Sequence, residues 1–127
     1  MLDLASVGLA GLDHVQLAAP PGCEADARAF FGDLLGLEEL EKPESLCARG
    51  GCWFALADGR QLHIGVEDPF RPATKAHLAF RVEGYDDLRT RFRAEGIDVR
   101  DDEEISGLRR FYAADPWGNR LEFVAVS

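Results

Sequence analysis

A chain of 127 residues with 46% hydrophobic composition has enough apolar mass to bury one core and fits a single globular domain. Fourteen basic against 23 acidic residues leave a net charge of −9, which repels phosphate backbones and anionic lipid over about a Debye length, roughly 8 Å at physiological salt. Nucleic acid and membranes are thereby excluded as expected partners.

No apolar run reaches the roughly 20 residues of a bilayer span, and Met1-Leu2-Asp3-Leu4-Ala5 lacks the basic start of a secretory signal, so a cytoplasmic location is expected. Cys23, Cys47 and Cys52 form an odd set without CxxC spacing. They read as ordinary thiols rather than a disulfide framework or a thiolate zinc site, with a Cys47 to Cys52 bridge left open by the spacing.

The first strand is expected near residues 11–19 and stops at Pro20-Pro21-Gly22. Ala27, Phe30, Phe31, Leu34 and Leu35 then recur at i, i+3, i+4, i+7 and i+8, which predicts a helix with one apolar stripe, ended by Gly36. Strands follow near 37–43, 46–57 and 60–67, with Asp58-Gly59 as a two-residue hairpin signal. Pro69-Phe70-Arg71-Pro72 reads as a linker, since paired prolines block helix and remove ladder donors.

The second half begins with a strand near 75–83. Tyr85, Leu88 and Phe92 stripe the next helix, with Asp86 and Asp87 at its positive end and Arg91 and Arg93 at the other. Gly96 ends it, and strands are expected near 97–102, 108–114 and 119–126, with Pro116-Trp117-Gly118-Asn119 as a turn two residues longer than its first-half counterpart. Each half is thus β-α-β-β-β, giving modules of about 11–67 and 75–126 within one domain of 1–127.

His14 and His77 stand 63 residues apart, Gly36 and Gly96 60, and His63 and Glu122 59, so all three histidines and one carboxylate occupy equivalent places in the two halves. Each has apolar strand neighbours, and alternation then turns the four polar groups to the face away from the core. Imidazole and carboxylate suit a borderline divalent metal such as zinc, nickel, iron, cobalt or manganese, whereas calcium prefers oxygen ligands. Polar groups hydrogen-bonded in a wet cavity without metal are the alternative. Gln16, Gln61 and Arg81 share strand parity with the four and are candidates to touch substrate or support the ligands. Trp53, Tyr112, Phe70, Phe111 and Trp117 are candidate pocket or core aromatics, and Arg49, Arg109 and Arg110 candidate anion contacts.

Asp13-His14-Val15 opens the first module, Lys75-Ala76-His77-Leu78 opens the second, and Asp115-Pro116-Trp117-Gly118-Asn119-Arg120-Leu121-Glu122-Phe123 closes it. On these stretches, residues 12–126 resemble the vicinal oxygen chelate superfamily of glyoxalase I, methylmalonyl-CoA epimerase, extradiol dioxygenases, fosfomycin-resistance transferases and bleomycin-binding proteins. The resemblance implies an α+β fold in which two βαβββ modules curl mixed sheets into a cup. Carried over by position, it implies metal ligands His14, His63, His77 and Glu122, with Glu122 and His63 as proton carriers.

Histidine at 63 departs from the glutamate or glutamine usual in glyoxalases and epimerases. The dioxygenases and fosfomycin transferases use two histidines and one glutamate, a set that His14, His77 and Glu122 would supply if His63 stood apart. The leading expectation is a metal-dependent lyase or isomerase acting on a small substrate with vicinal oxygens. A dioxygenase or thiol transferase, and a metal-free protein that binds a drug or metabolite, are the alternatives. A homodimer is expected from the same resemblance.

Overall fold

The computed structural model describes residues 6–126. The stretch 1–5, on which the reading of the N-terminus rests, lies outside the described residues. The first module runs β1 (His14–Ala19), helix α1 (Glu24–Ala27, continuing in π-type winding over Arg28–Leu34), β2 (Glu38–Leu40), a single turn α2 (Glu44–Cys47), β3 (Cys52–Ala55) and β4 (Gln61–Val66). The second runs β5 (Leu78–Val82), α3 (Tyr85–Ala94), β6 (Arg100–Asp102), β7 (Arg110–Ala114) and β8 (Arg120–Ala125).

Each module forms one four-stranded mixed sheet, ordered β1-β4-β3-β2 and β5-β8-β7-β6. β1 pairs parallel with β4 and β5 with β8, while the other pairings are antiparallel. Gln16 lies opposite His63 and His63 opposite Trp53; in the second sheet Ala79 lies opposite Glu122 and Glu122 opposite Tyr112. The repeat inferred from sequence is therefore a repeat of hydrogen-bond register.

Alternate residues of these strands, among them Leu17, Phe54, Leu62, Ile64, Phe111, Leu121 and Phe123, form the buried core. Burying each such side chain contributes about 1.5–3 kcal/mol before conformational entropy is counted. Phe92 stands edge-on to Phe111 and Phe123, and Phe30 of α1 lies 5.8 Å from Phe92 of α3, so the helices join the modules into one core. Buried Asn119 adds a polar staple between them. Its Nδ2 donates to the Ala18 carbonyl and to Asp115 Oδ2, each at 2.8 Å, while its Oδ1 accepts from the Ala73 N–H at 2.9 Å.

Four sequence expectations change in detail. The stripe of α1 is real, but the helix widens so that the Leu35 N–H reaches the Phe30 carbonyl at 3.0 Å, an i to i+5 bond, and adjacent Phe30 and Phe31 are both buried. The strand expected from residue 46 begins at Cys52, because Pro43 and Glu44 open a helical turn and Gly50 and Gly51 reverse the chain at positive φ. A Cβ on Gly51 would meet the Ile64 carbonyl oxygen at 2.0 Å, so the close pairing of β3 with β4 requires glycine there.

The turn after β3 centres on Ala57 and Asp58 rather than on Asp58-Gly59, for the Gly59 N–H bonds the Leu56 carbonyl at 3.0 Å and Gly59 takes the left-handed position. The turn after β7 repeats it with Gly118 bonded to Asp115 at 3.1 Å, so the two turns have equal length and the expected insertion does not exist. All three thiols are free, with Cys47 exposed and Cys23 and Cys52 buried.

Candidate functional site

Strand alternation turns His14, Gln16, Trp53 and His63 of the first sheet away from Leu17, Phe54 and Leu62. Their rings form a ladder across three strands. His14 stacks on His63 at 4.3 Å and 18°, and His63 stacks on Trp53 at 4.0 Å and 3°. His63 Nε2 donates to Gln61 Oε1 at 2.9 Å, which leaves Nδ1 with the lone pair. Burial, and after it the neighbouring His14, lower the His63 pKa from its ordinary 6.5, so the ring is a neutral base at pH 7.

The second sheet carries charge at the same register. His77 lies just ahead of β5, and its Nε2 sits 2.9 Å from Glu122 Oε1, while Nδ1 contacts the Lys75 carbonyl at 3.0 Å. Arg110 bridges Glu122 Oε2 at 3.3 Å and Asp102 Oδ2 at 3.0 Å, and Tyr112 packs edge-on to His77 beneath the Arg120 guanidinium. Burial raises the Glu122 pKa, but the contacts with His77 and Arg110 outweigh it and hold the carboxylate below its ordinary 4.5.

A carbonyl oxygen only accepts, so His77 Nδ1 carries a hydrogen and points Nε2 at Glu122. His14 is anchored likewise, its Nδ1 held by Asp13 Oδ2 at 2.9 Å. His14, Gln61 and His77 line one cleft of about 340 Å³ between the edge strands β1 and β5. Gln16, Trp53 and His63 line a second cavity of about 260 Å³ over β3 and β4. A Cβ on Gly65 would meet the Gln16 amide at 2.7 Å, so this glycine lets Gln16 lie across the sheet.

The four candidate ligands thus gather as two pairs, His14 with His63 and His77 with Glu122. Among the described residues no three His, Cys, Asp or Glu side chains lie close enough to hold a metal ion. The donor types fit a borderline divalent metal, and His77 with Glu122 presents two donors at contact distance, with His14 lining the same cleft as His77. Arg81 shares the face of Ala79 but, like Tyr112, lines neither cavity. Phe111 is buried in the core and Trp117 stacks on Phe31.

Two of the three candidate anion contacts are already engaged, Arg109 by Asp86 at 2.7 Å and Arg110 by Asp102 and Glu122. The clamp of Arg110 on Glu122 was missed from sequence. Its signal was there in the alternation that puts Arg110, Tyr112 and Glu122 on one face.

Superposed on solved structures, the chain matches a glyoxalase family protein from Bacillus anthracis at a TM-score of 0.90 and 48% identity, over 95% of this chain and 98% of that one. The chain belongs to the glyoxalase family, within the vicinal oxygen chelate superfamily. This glyoxalase family chain also matches a glyoxalase/dioxygenase from Nostoc punctiforme at a TM-score of 0.78 and 23% identity, over 100% and 97% of the two chains. A fosfomycin resistance protein, FosX, from Listeria monocytogenes matches at 0.72 and 22%, over 94% and 96%. The last two likenesses are of fold. No protein-family model and no curated protein matches the chain.

Proposed function

We propose that this glyoxalase family chain is a metal-dependent enzyme of lyase or isomerase type, acting on a small substrate whose two vicinal oxygens bind the metal. The observation that carries the reading is the anchoring of His14 and His77. Each ring has Nδ1 held, by a carboxylate and by a backbone carbonyl, and lines the cleft they share. That is how metal-ligating histidines are commonly oriented. His14, His77 and Glu122 would hold the ion. When bound, a divalent ion there supplies a Lewis acid for negative charge developing on a substrate oxygen.

His63 has a separate task in this reading. Its neutral ring, held by Gln61 and sandwiched between His14 and Trp53, serves as the proton acceptor, and Glu122 is the second candidate proton carrier. Gln16 and Trp53 bind the substrate beside it, and a homodimer is the proposed assembly.

The test is elemental analysis of protein purified without chelator, with turnover of methylglyoxal and glutathione as the first assay. Wild type is expected to hold metal and a His77→Ala, Glu122→Gln variant to lose it together with turnover. Absence of metal, with no thermal shift from zinc, nickel, manganese or iron(II), overturns the reading. A second reading, thiol transfer to an epoxide, is favoured by the separate engagement of His63, which leaves two histidines and one glutamate. Turnover of fosfomycin with manganese and a thiol, without turnover of methylglyoxal, would select it.

A further inference from the structure

The cavity over β3 and β4 has a composition at odds with the rest of the chain. Against 23 acidic and 14 basic residues overall, no carboxylate among the described residues lines it, while Lys42 and Arg49 both do. Several other cations are answered by acids, Arg28 by Glu39, Arg89 by Asp101, Arg109 by Asp86 and Arg110 by Asp102 and Glu122. Among the described residues Arg49 has no such partner, and the Lys42 ammonium donates to the Gly50 carbonyl instead of to a carboxylate.

The nearby Glu24 is committed elsewhere, accepting the Gly51 N–H at 2.8 Å, and does not line the cavity. Two cations left without counter-charge in a concave site focus a positive potential that the net charge of −9 would otherwise oppose. The remaining walls are neutral: the Gln16 amide, Trp53 and His63. With a volume of about 260 Å³, the cavity takes a small group.

We propose that this cavity seats the anionic end, a carboxylate or phosphoryl group, of the substrate. The inference rests on the proposed function, since the His14 and His63 rings, stacked at 4.3 Å, separate this cavity from the cleft that His14 and His77 share. The substrate is then a small acid whose anionic group stands a few bonds from its vicinal oxygens. Arg49 supplies the planar donors that grip either anion, and Lys42, held by the Gly50 carbonyl, supplies the second positive charge.

Inorganic phosphate and succinate, with succinamide as the uncharged match, are titrated calorimetrically against wild type, an Arg49→Gln, Lys42→Gln variant, and Arg91→Gln as a control on α3. Glutamine at 42 retains a donor for the Gly50 carbonyl, and unchanged melting curves establish that the variants fold. Wild type is expected to bind one or both anions and not succinamide, with affinity falling as salt rises. The double variant should bind about tenfold more weakly or worse, and Arg91→Gln like wild type. Binding of phosphate alone or of succinate alone supports the proposal and selects the anion. It is overturned if wild type binds neither, if the double variant binds equally well, or if Arg91→Gln loses as much.

Repeating the titration on Glu122→Gln separates the two readings. Lost metal with anion binding intact leaves this site standing, whereas intact metal and turnover without anion binding sinks the site alone.

Discussion

Where the first module sets His63 between Gln16 and Trp53, the second sets Glu122 between Ala79 and Tyr112, at the same point of the same ladder. The first answers with stacked rings and the second with a chain of polar contacts from His77 through Glu122 and Arg110 to Asp102. One backbone plan therefore carries two chemistries. A ring ladder loses little when one member goes, whereas buried Glu122 depends on Arg110 for its counter-charge. The second module sets two carboxylates, Glu122 and Asp102, against the one guanidinium of Arg110, which suits it to a cation, while among the described residues the first keeps Lys42 and Arg49 without a carboxylate partner.

The largest expected effect tests that contrast directly. Glu122→Ala leaves Arg110 and His77 without their buried partner and should destabilise by about 3–5 kcal/mol in urea unfolding, with metal uptake reduced by a factor of about 100 or more. His63→Ala, at the equivalent position, should cost about 1–2 kcal/mol, the scale of lost ring contacts. Equal costs would mean that the two modules do not differ in the way described.

Next in size is the staple that holds the modules in register. Asn119→Ala strips partners from the Ala73 N–H, the Ala18 carbonyl and the buried Asp115, and a loss of about 3 kcal/mol is expected from chemical denaturation. A loss below about 1 kcal/mol would show that the aromatic contacts between α1 and α3 suffice alone.

Acid should weaken the modules in order. The folded His63 pKa is depressed, so its contribution is present above the unfolded value of 6.5 and is lost as pH falls through the lower folded value. Glu122 is likewise depressed, so its contribution is present above 4.5 and is lost at still lower pH. Stability against pH should fall first with the first module and then with the second, and His14→Phe should make the upper step shallower. Proton NMR of the His63 ring checks the assignment; a titration at or above 6.5 contradicts it.

The smallest effect concerns the thiols, all of them in the first module. Burial, and after it Glu24, push the Cys23 thiol up to about 11, and burial raises Cys52, so alkylation at neutral pH should label exposed Cys47 alone. Mass spectrometry of the labelled protein reads the result, and modification of Cys23 or Cys52 under native conditions would show that the core around β3 opens.

Where the sequence was legible, local pattern and final packing agreed. Tyr85, Leu88 and Phe92 read as one helical stripe and are the buried face of α3, and Gly96 follows its end. Where it misled, a tertiary demand overrode the local pattern. The end of α1 widened, the Leu35 N–H reaching the Phe30 carbonyl five residues back, and β3 had to approach β4 across Gly51. Equating the two turns needed hydrogen bonds, because Phe54 and Tyr112 look alike in sequence while the ladder pairs Tyr112 with the role of Trp53.

The sequence by itself determined the repeat, the superfamily and the side of each strand on which His14, His63 and Glu122 lie, because a period of two is written into every strand; His77, expected on a strand from 75, lies just ahead of β5. Only the tertiary structure decided how they group. Distance between side chains on different sheets follows from how the helices pack and how far β1 stands from β5, and no local period encodes either. The same holds for Arg110 on Glu122 and for the unanswered cations of the first module, since which charges meet is settled when the chain closes on itself.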